Sequence, residues 1–165
     1  MTYIPQMQGR AKHLSLLFTH TGFVLAMISE IFPYKSIFQL IALGLIVFGV
    51  PLLVRYVLTD FRYILDDKDD GTADLIIYKR QGKREAKVCH VNMANVTDMF
   101  KKGEKQVPSN NRFNYCRNLT DEAWVILLRD GEKTTEVLIE PDAAFLGALQ
   151  ARAGTGEAGQ AFTMN

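Results

Sequence analysis

The feature that most constrains this chain is residues 37–58, IFQLIALGLIVFGVPLLVRYVL, in which the fifteen residues 40–54 carry no charged or hydrogen-bonding side chain. As an α-helix, a stretch of that length at about 1.5 Å per residue reaches roughly 33 Å, the hydrocarbon thickness of a bilayer. A helix buried in a soluble core usually keeps a polar stripe, and none exists between Leu40 and Val54, so the stretch reads as a membrane span. Whatever follows Leu58 then lies on one side of the membrane.

Residues 14–32, LSLLFTHTGFVLAMISEIF, are long enough for a second span but contain His20, Ser29 and Glu30. Arg10 and Lys12 before an apolar core also suit a secretory signal, yet no small-x-small cleavage site follows Met27, and the segment reads as an uncleaved helix. Pro33-Tyr34-Lys35-Ser36 is the only link between the two, with Pro33 ending one helix and Ser36 expected to cap the next. Such a short link requires an antiparallel pair. Arg10 and Lys12 before the first helix and Arg55, Arg62 and Lys68 after the second put the positive charge on one side, against Lys35 alone on the other. The expectation is a two-span cell-membrane protein with both termini cytoplasmic. Glu30 is placed as an interfacial anchor, the competing role being an ion pathway. His20 lies deeper, as a neutral imidazole bonded to the partner helix or a proton relay. Gly44, Gly49 and Pro51 suggest a packing face or a slight kink in the second helix.

From Phe61 the period turns from helical to alternating, with turn residues recurring. Seven strands are expected, at residues 61–65, 74–80, 84–91, 96–102, 112–117, 123–129 and 134–140. Asp66–Gly71, Gln81-Gly82, the polar loop 103–111 and Asp130-Gly131 stand among the connections. Pro141 and Asp142 open a helix with an apolar face of Phe145, Ala148 and Leu149, Arg152 at its far end and Gly154 as its stop. The division is a cytoplasmic segment 1–13, a transmembrane hairpin 14–58, an α+β domain 59–153 and a flexible tail 154–165.

Seven antiparallel strands and a closing helix directly after a two-helix hairpin resemble the pleckstrin-homology-like (PH-like) domains of small bacterial membrane proteins. FRYILDD at the start and VLIEPDAAFLGAL at the end carry the resemblance, which covers about residues 61–152. It implies a seven-stranded antiparallel barrel or sandwich with a C-terminal helix, and a binding or assembly module without catalytic machinery. Some eukaryotic relatives bind phosphoinositides through basic residues in the first hairpin loop. Here that loop is DDKDDG, four acids to one base, which argues against that ligand.

The net charge of +1 divides unevenly. Residues 1–58 hold four basic residues against one acidic, net +3, and the remainder holds 15 against 17, net −2. Neither part has the basic excess of a nucleic-acid binder. If the strands form a simple meander, Lys79, Arg80, Lys83 and Arg84 surround the first membrane-side turn, Lys101, Lys102 and Lys105 the second, and Arg129 and Lys133 the third. The far turns carry Asp66, Asp67, Asp69 and Asp70, then Asn92 and Asn95, then Asp121 and Glu122. An anionic inner leaflet favours such an arrangement by about 1 kcal/mol per basic residue near the surface.

No phosphate-cradling glycine loop, nucleophile elbow or zinc-protease motif is present. Cys89, His90 and Cys116 are the soft donors of the strand region, but neighbours in a strand point to opposite faces, so Cys89 and His90 do not suit one metal. Buried apolar cysteines are expected, with no cofactor and no metal. The chain thus reads as a non-catalytic, membrane-anchored binding or scaffold module on the cytoplasmic face. Its partners would be the bilayer, a protein strand at a sheet edge with loop 103–111 the first surface to test, and further copies of itself. The rival reading is a small transporter or channel accessory subunit using His20 and Glu30, and an enzyme acting on lipid ranks below both.

Overall fold

The computed structural model describes residues 1–6, 9–69, 71–118, 122–130 and 133–153. It divides into a helical unit, Gln6–Thr59, and a strand unit made of Met1–Pro5 with Asp60–Asn165. The first five residues belong with the strands, so the helical unit is an insertion in the strand unit's sequence.

The helical unit is α1 (Gly9–Ile28), a 3-10 turn (Ser29–Ile31) and α2 (Lys35–Tyr56). The segments Lys12–Ile31 and Lys35–Tyr56 are each long and apolar enough to cross a membrane. Small residues let the two helices approach. Ser15, Gly22 and Ser29 on the α1 side and Ala42 and Gly49 on α2 are buried. A Cβ added at Gly49 would lie 2.8 Å from the Thr19 amide nitrogen, and one at Gly22 would lie 3.1 Å from the Ala42 carbonyl oxygen. Gly44 has open space around it, so only one of the two glycines expected on a packing face is there. Pro51 sits inside the continuous α2. Ser36 does not cap this helix. The Tyr34 carbonyl already accepts from the Ile37 and Phe38 amides at 3.0 and 3.3 Å, which draws the helix start back to Lys35 and leaves Ser36 inside the first turn.

The strand unit is α+β, with β1 (Thr2–Tyr3), β2 (Thr59–Asp67), β3 (Ala73–Gln81), β4 (Arg84–Asn92), β5 (Val96–Lys101), β6 (Asn111–Asn114), β7 (Trp124–Asp130), β8 (Lys133–Ile139) and α3 (Ala143–Arg152). All seven expected strands appear with shifted ends, and β1 is an eighth. Two residues ahead of an apolar helix carry no alternation from which a strand could be read. The strands form two four-stranded sheets, β1-β2-β3-β4 and β5-β7-β8-β6, and among the described residues no pairing closes them into a barrel.

The inner faces are apolar on alternate residues. Phe61, Tyr63 and Leu65 of β2, Leu75 and Ile77 of β3, Cys89 and Val91 of β4, Ile126 and Leu128 of β7, and Val137 and Ile139 of β8 share one buried cluster with Phe145 and Leu149 of α3. Helix α3 presents the face expected of it. Its cap is Asp142, whose carboxylate accepts from the Phe145 amide at 2.7 Å, and Pro141 precedes that cap instead of opening the first turn. Arg152 at the far end pairs with Asp67. The Gly154 stop and the flexible tail lie outside the described residues, as do Asp70, Asp121 and Gly131 of the expected turns; the antiparallel β7–β8 register runs to Asp130↔Lys133.

The second sheet is not a meander. β5 and β8 both run antiparallel to β7, and β6 runs parallel to β8, so β5 and β6 point the same way. The loop between them therefore returns the length of the sheet. On the way Val107 packs over a second apolar cluster of Phe100, Cys116, Ala123, Val125 and Leu138, and the Asn110 amide donates to the Thr134 carbonyl at 2.9 Å. In this loop, expected as the first partner surface to test, residues 103–106 are exposed and Val107 is half-buried over that small core.

Candidate functional site

The β3–β4 hairpin carries the densest positive charge of the strand unit. Gln81 pairs with Arg84, leaving Gly82 and Lys83 as a two-residue loop. Gly82 has φ +60° and Lys83 does not have a positive φ, the II′ pattern that matches the twist of the flanking strands. A β-bulge separates the Ile77↔Cys89 pair from the Tyr78↔Lys87 pair, and beyond it the alternation stops. The eight residues from Arg80 to Lys87 are all exposed, so both faces of this part meet solvent and it projects from the sandwich. It holds Arg80, Lys83, Arg84 and Lys87 against Glu85, with half-buried Lys79 just before it.

Two of these charges are engaged. Arg80 donates to the Asp60 carboxylate at 3.0 Å, and Glu85 accepts from Arg62 at 2.9 Å. Lys79, Lys83, Arg84 and Lys87 enter no salt bridge among the described residues. The Arg80–Asp60 pair fixes which end of the sheet the tip occupies, because Asp60 is the residue at which the strand unit resumes after the helices. The departure point is nearby. The Arg117 guanidinium, only 14% exposed, pairs with Asp60 and donates to the Pro5 carbonyl at 3.0 Å. One side chain thus holds the two strand-unit residues that flank the insertion, and Asp60 links them to Arg80 at the base of the tip.

Arg117 is set by a buried polar cluster. Glu140, following β8, accepts from the Arg117 amide at 3.0 Å and from the Asn118 side chain at 3.1 Å. Burial raises the Glu140 pKa, against the lowering effect of those donors. The Tyr63 hydroxyl donates to the Tyr115 carbonyl at 2.9 Å and accepts from the Glu140 amide at 3.3 Å.

The other expected positions divide. Lys101 ends β5, Lys102 and Lys105 form an isolated bridge, and the Lys102 amide donates to Ala123 at 2.8 Å. Lys105 binds Asp98 at 2.8 Å and lies 5.6 Å from the centre of the Phe100 ring. The pair raises the lysine and lowers the carboxyl, so this cluster pins its own loop and is locally offset. The β5–β7 register sets Lys101 opposite Trp124. Glu122 therefore lies at that end, not at the far end expected of it, and Arg129 and Lys133 are carried to the opposite one. The parallel β6 is the cause, since it removes one reversal of direction between β5 and β7.

In the helical unit Glu30 pairs with Lys35 and accepts weakly from Gln39 at 3.4 Å, a closed polar group at the connection between the helices. Among the described residues His20 makes no hydrogen bond to α2, and it is exposed on the outer surface of α1, unlike the imidazole bonded to the partner helix that was expected.

Cys89 and Cys116 are free and buried, and burial pushes the Cys89 thiol up to about 12. His90 Nε2 and Lys68 Nζ both reach one oxygen of buried Asp74, at 2.7 and 2.9 Å, a group that spacing alone did not reveal. Among the described residues no three His, Cys, Asp or Glu side chains stand together as metal ligands. Sequence reasoning also passed over Lys87, although the unalternating Arg84-Glu85-Ala86-Lys87 was the available signal that both strand faces are solvated there. Compared with family models, curated proteins and solved structures, the chain matches none.

Proposed function

We propose that this chain is a membrane-tethered, non-catalytic binding or scaffold module in which α1 and α2 cross the bilayer and a PH-like strand unit sits on the cytoplasmic face. The observation that carries the proposal is the clamp at the insertion. Pro5 and Asp60 are both held by Arg117, so a helical hairpin leaving and re-entering there has its two ends on the strand unit's side of the membrane. The basic tip at Lys79–Lys87 is at that same end and rests on anionic headgroups, each free cation contributing about 1 kcal/mol. Two stacked sheets with a terminal helix in their core support the PH-like reading, while the parallel β6 is a departure from its strand order. The positive-inside distribution of Arg and Lys supports the cytoplasmic side. A channel role for Glu30 draws no support from its closed pairing with Lys35 and Gln39.

The test is vesicle flotation of a chain in which Pro5 is joined to Asp60 by a short Gly-Ser linker, removing the helices. This chain floats with vesicles containing phosphatidylserine, stays behind with neutral vesicles, and loses flotation when Lys79, Lys83, Arg84 and Lys87 are changed to Glu. Flotation indifferent to those four changes would refute the headgroup contact.

A further inference from the structure

We infer that the outward face of α1, with His13, Leu17, His20, Val24 and Met27 as its knobs, is a self-association seam that packs against the same face of a second copy inside the bilayer. The inference rests on the membrane-spanning reading above. The five residues follow one another at spacings of 4, 3, 4 and 3 in the sequence, the heptad rhythm of a coiled-coil seam. They lie across the helix from the small residues Ser15, Gly22 and Ser29, which are buried. The outward set is exposed, Leu17 at 62% and Met27 at 80%. An open groove of about 670 Å³, lined by His13, Leu14, Leu16, Leu17 and His20, lies over its first half.

What selects the occupant is the chemistry of His20. Ser15, Thr19 and Ser29 satisfy their hydroxyls on carbonyls of their own helical segment at 3.0, 2.9 and 2.7 Å, and Thr21 is short enough to do the same. An imidazole is not. Among the described residues its ring nitrogens at mid-span have no hydrogen-bond partner, and lipid tails offer none. The outer surface of α2 has no such group from Leu40 to Val54, so α2 suits lipid and α1 does not. Copies inserted the same way are related by a two-fold axis along the membrane normal. Their α1 helices then run parallel and His20 meets His20, one ring donating an N–H to a nitrogen of the other.

The experiment uses the full chain in membranes, with Leu17→Cys and Val24→Cys as reporters and Phe48→Cys on α2, 73% exposed, as the control. Under mild oxidation Leu17→Cys and Val24→Cys give disulfide-linked dimers, and neither the unmodified chain, with its buried cysteines, nor Phe48→Cys does so. Adding His20→Leu weakens association roughly three- to thirtyfold, and His20→Asn, which can still pair, restores much of it. Dimer yields at Leu17→Cys and Val24→Cys no higher than at Phe48→Cys, or unaffected by His20→Leu, overturn the seam while leaving the membrane reading intact. A chain found outside the membrane fraction overturns both.

Discussion

Tyr3 is the residue through which the first five residues hold the strand unit together. β1 offers only two ladder positions, Thr2↔Ile64 and Tyr3↔Tyr63, and the Leu65 amide adds a bond to the Met1 carbonyl at 2.8 Å. The Met1 ammonium donates back to the Leu65 carbonyl at 2.5 Å; edge hydrogen bonds contribute about 1 kcal/mol net each, and the largest single side-chain contribution to docking is the ring. The Tyr3 ring centre lies 6.1 Å from that of Tyr63 and 5.7 Å from that of Phe145, both side chains fully buried. Losing a half-buried aromatic surface together with two ring contacts costs about 2 kcal/mol. In a domain of this size that lowers Tm by about 8–16 °C. Tyr3→Ala in the helix-excised chain, melted by circular dichroism beside its parent, measures the effect, and Tyr3→Phe serves as the control that keeps both contacts. A Tyr3→Ala melt within a degree or two of the parent would mean that residues 1–5 are not docked on β2, and the clamp at Pro5 would lose its footing.

Three further outcomes follow from particular contacts. Gly49→Leu places a side chain against the Thr19 backbone, where a Cβ alone already meets the amide nitrogen at 2.8 Å. Overpacking of this kind costs about 1–3 kcal/mol, read as easier unfolding of the helix pair by SDS titration, while Gly44→Leu in open space should leave it unchanged. Burial works to raise the Asp74 pKa, but bonds from Lys68 and His90 prevail and hold it below the ordinary carboxylate value. A lowered folded pKa stabilises the fold above the unfolded value near 3.8 and loses that contribution as pH falls through the folded value. Asp74→Asn is therefore less stable than the parent at pH 6, by about 1–3 kcal/mol, and the difference closes at lower pH. A constant difference across that range would refute the assignment. For Glu140 the direction reverses. Its pKa is raised, so its ionisation weakens the fold as pH rises from the ordinary Glu value through the raised one, and Glu140→Gln flattens that part of the profile.

Much of the architecture was legible because its causes are local. The two apolar helices, the alternation of β2, the Gln81-Gly82 turn and the apolar face of α3 are each written in a short window. What escaped depends on distant partners. β1 exists because β2, more than fifty residues away in the sequence, presents an edge and a Tyr63–Phe145 surface for Tyr3. The parallel β6 depends on a loop whose Val107 finds a second apolar cluster across the sheet, and composition showed only a polar stretch with strand breakers. The basic tip was foreseen as four residues, and the structure extends it to Lys87 while showing the Lys105 cluster engaged with Asp98. His20 was recognised as unusual, but its outward direction depends on which side of α1 packs on α2, and the small residues Ser15, Gly22 and Ser29 set that side.

The central claim is that α1 and α2 hold the chain in a membrane. Alkaline carbonate extraction of cell membranes, applied to the full chain and to the chain with Pro5 joined to Asp60, addresses it directly. The full chain is predicted to remain in the pellet and the helix-excised chain to pass into the supernatant. A full chain released as completely as the excised one would contradict the account.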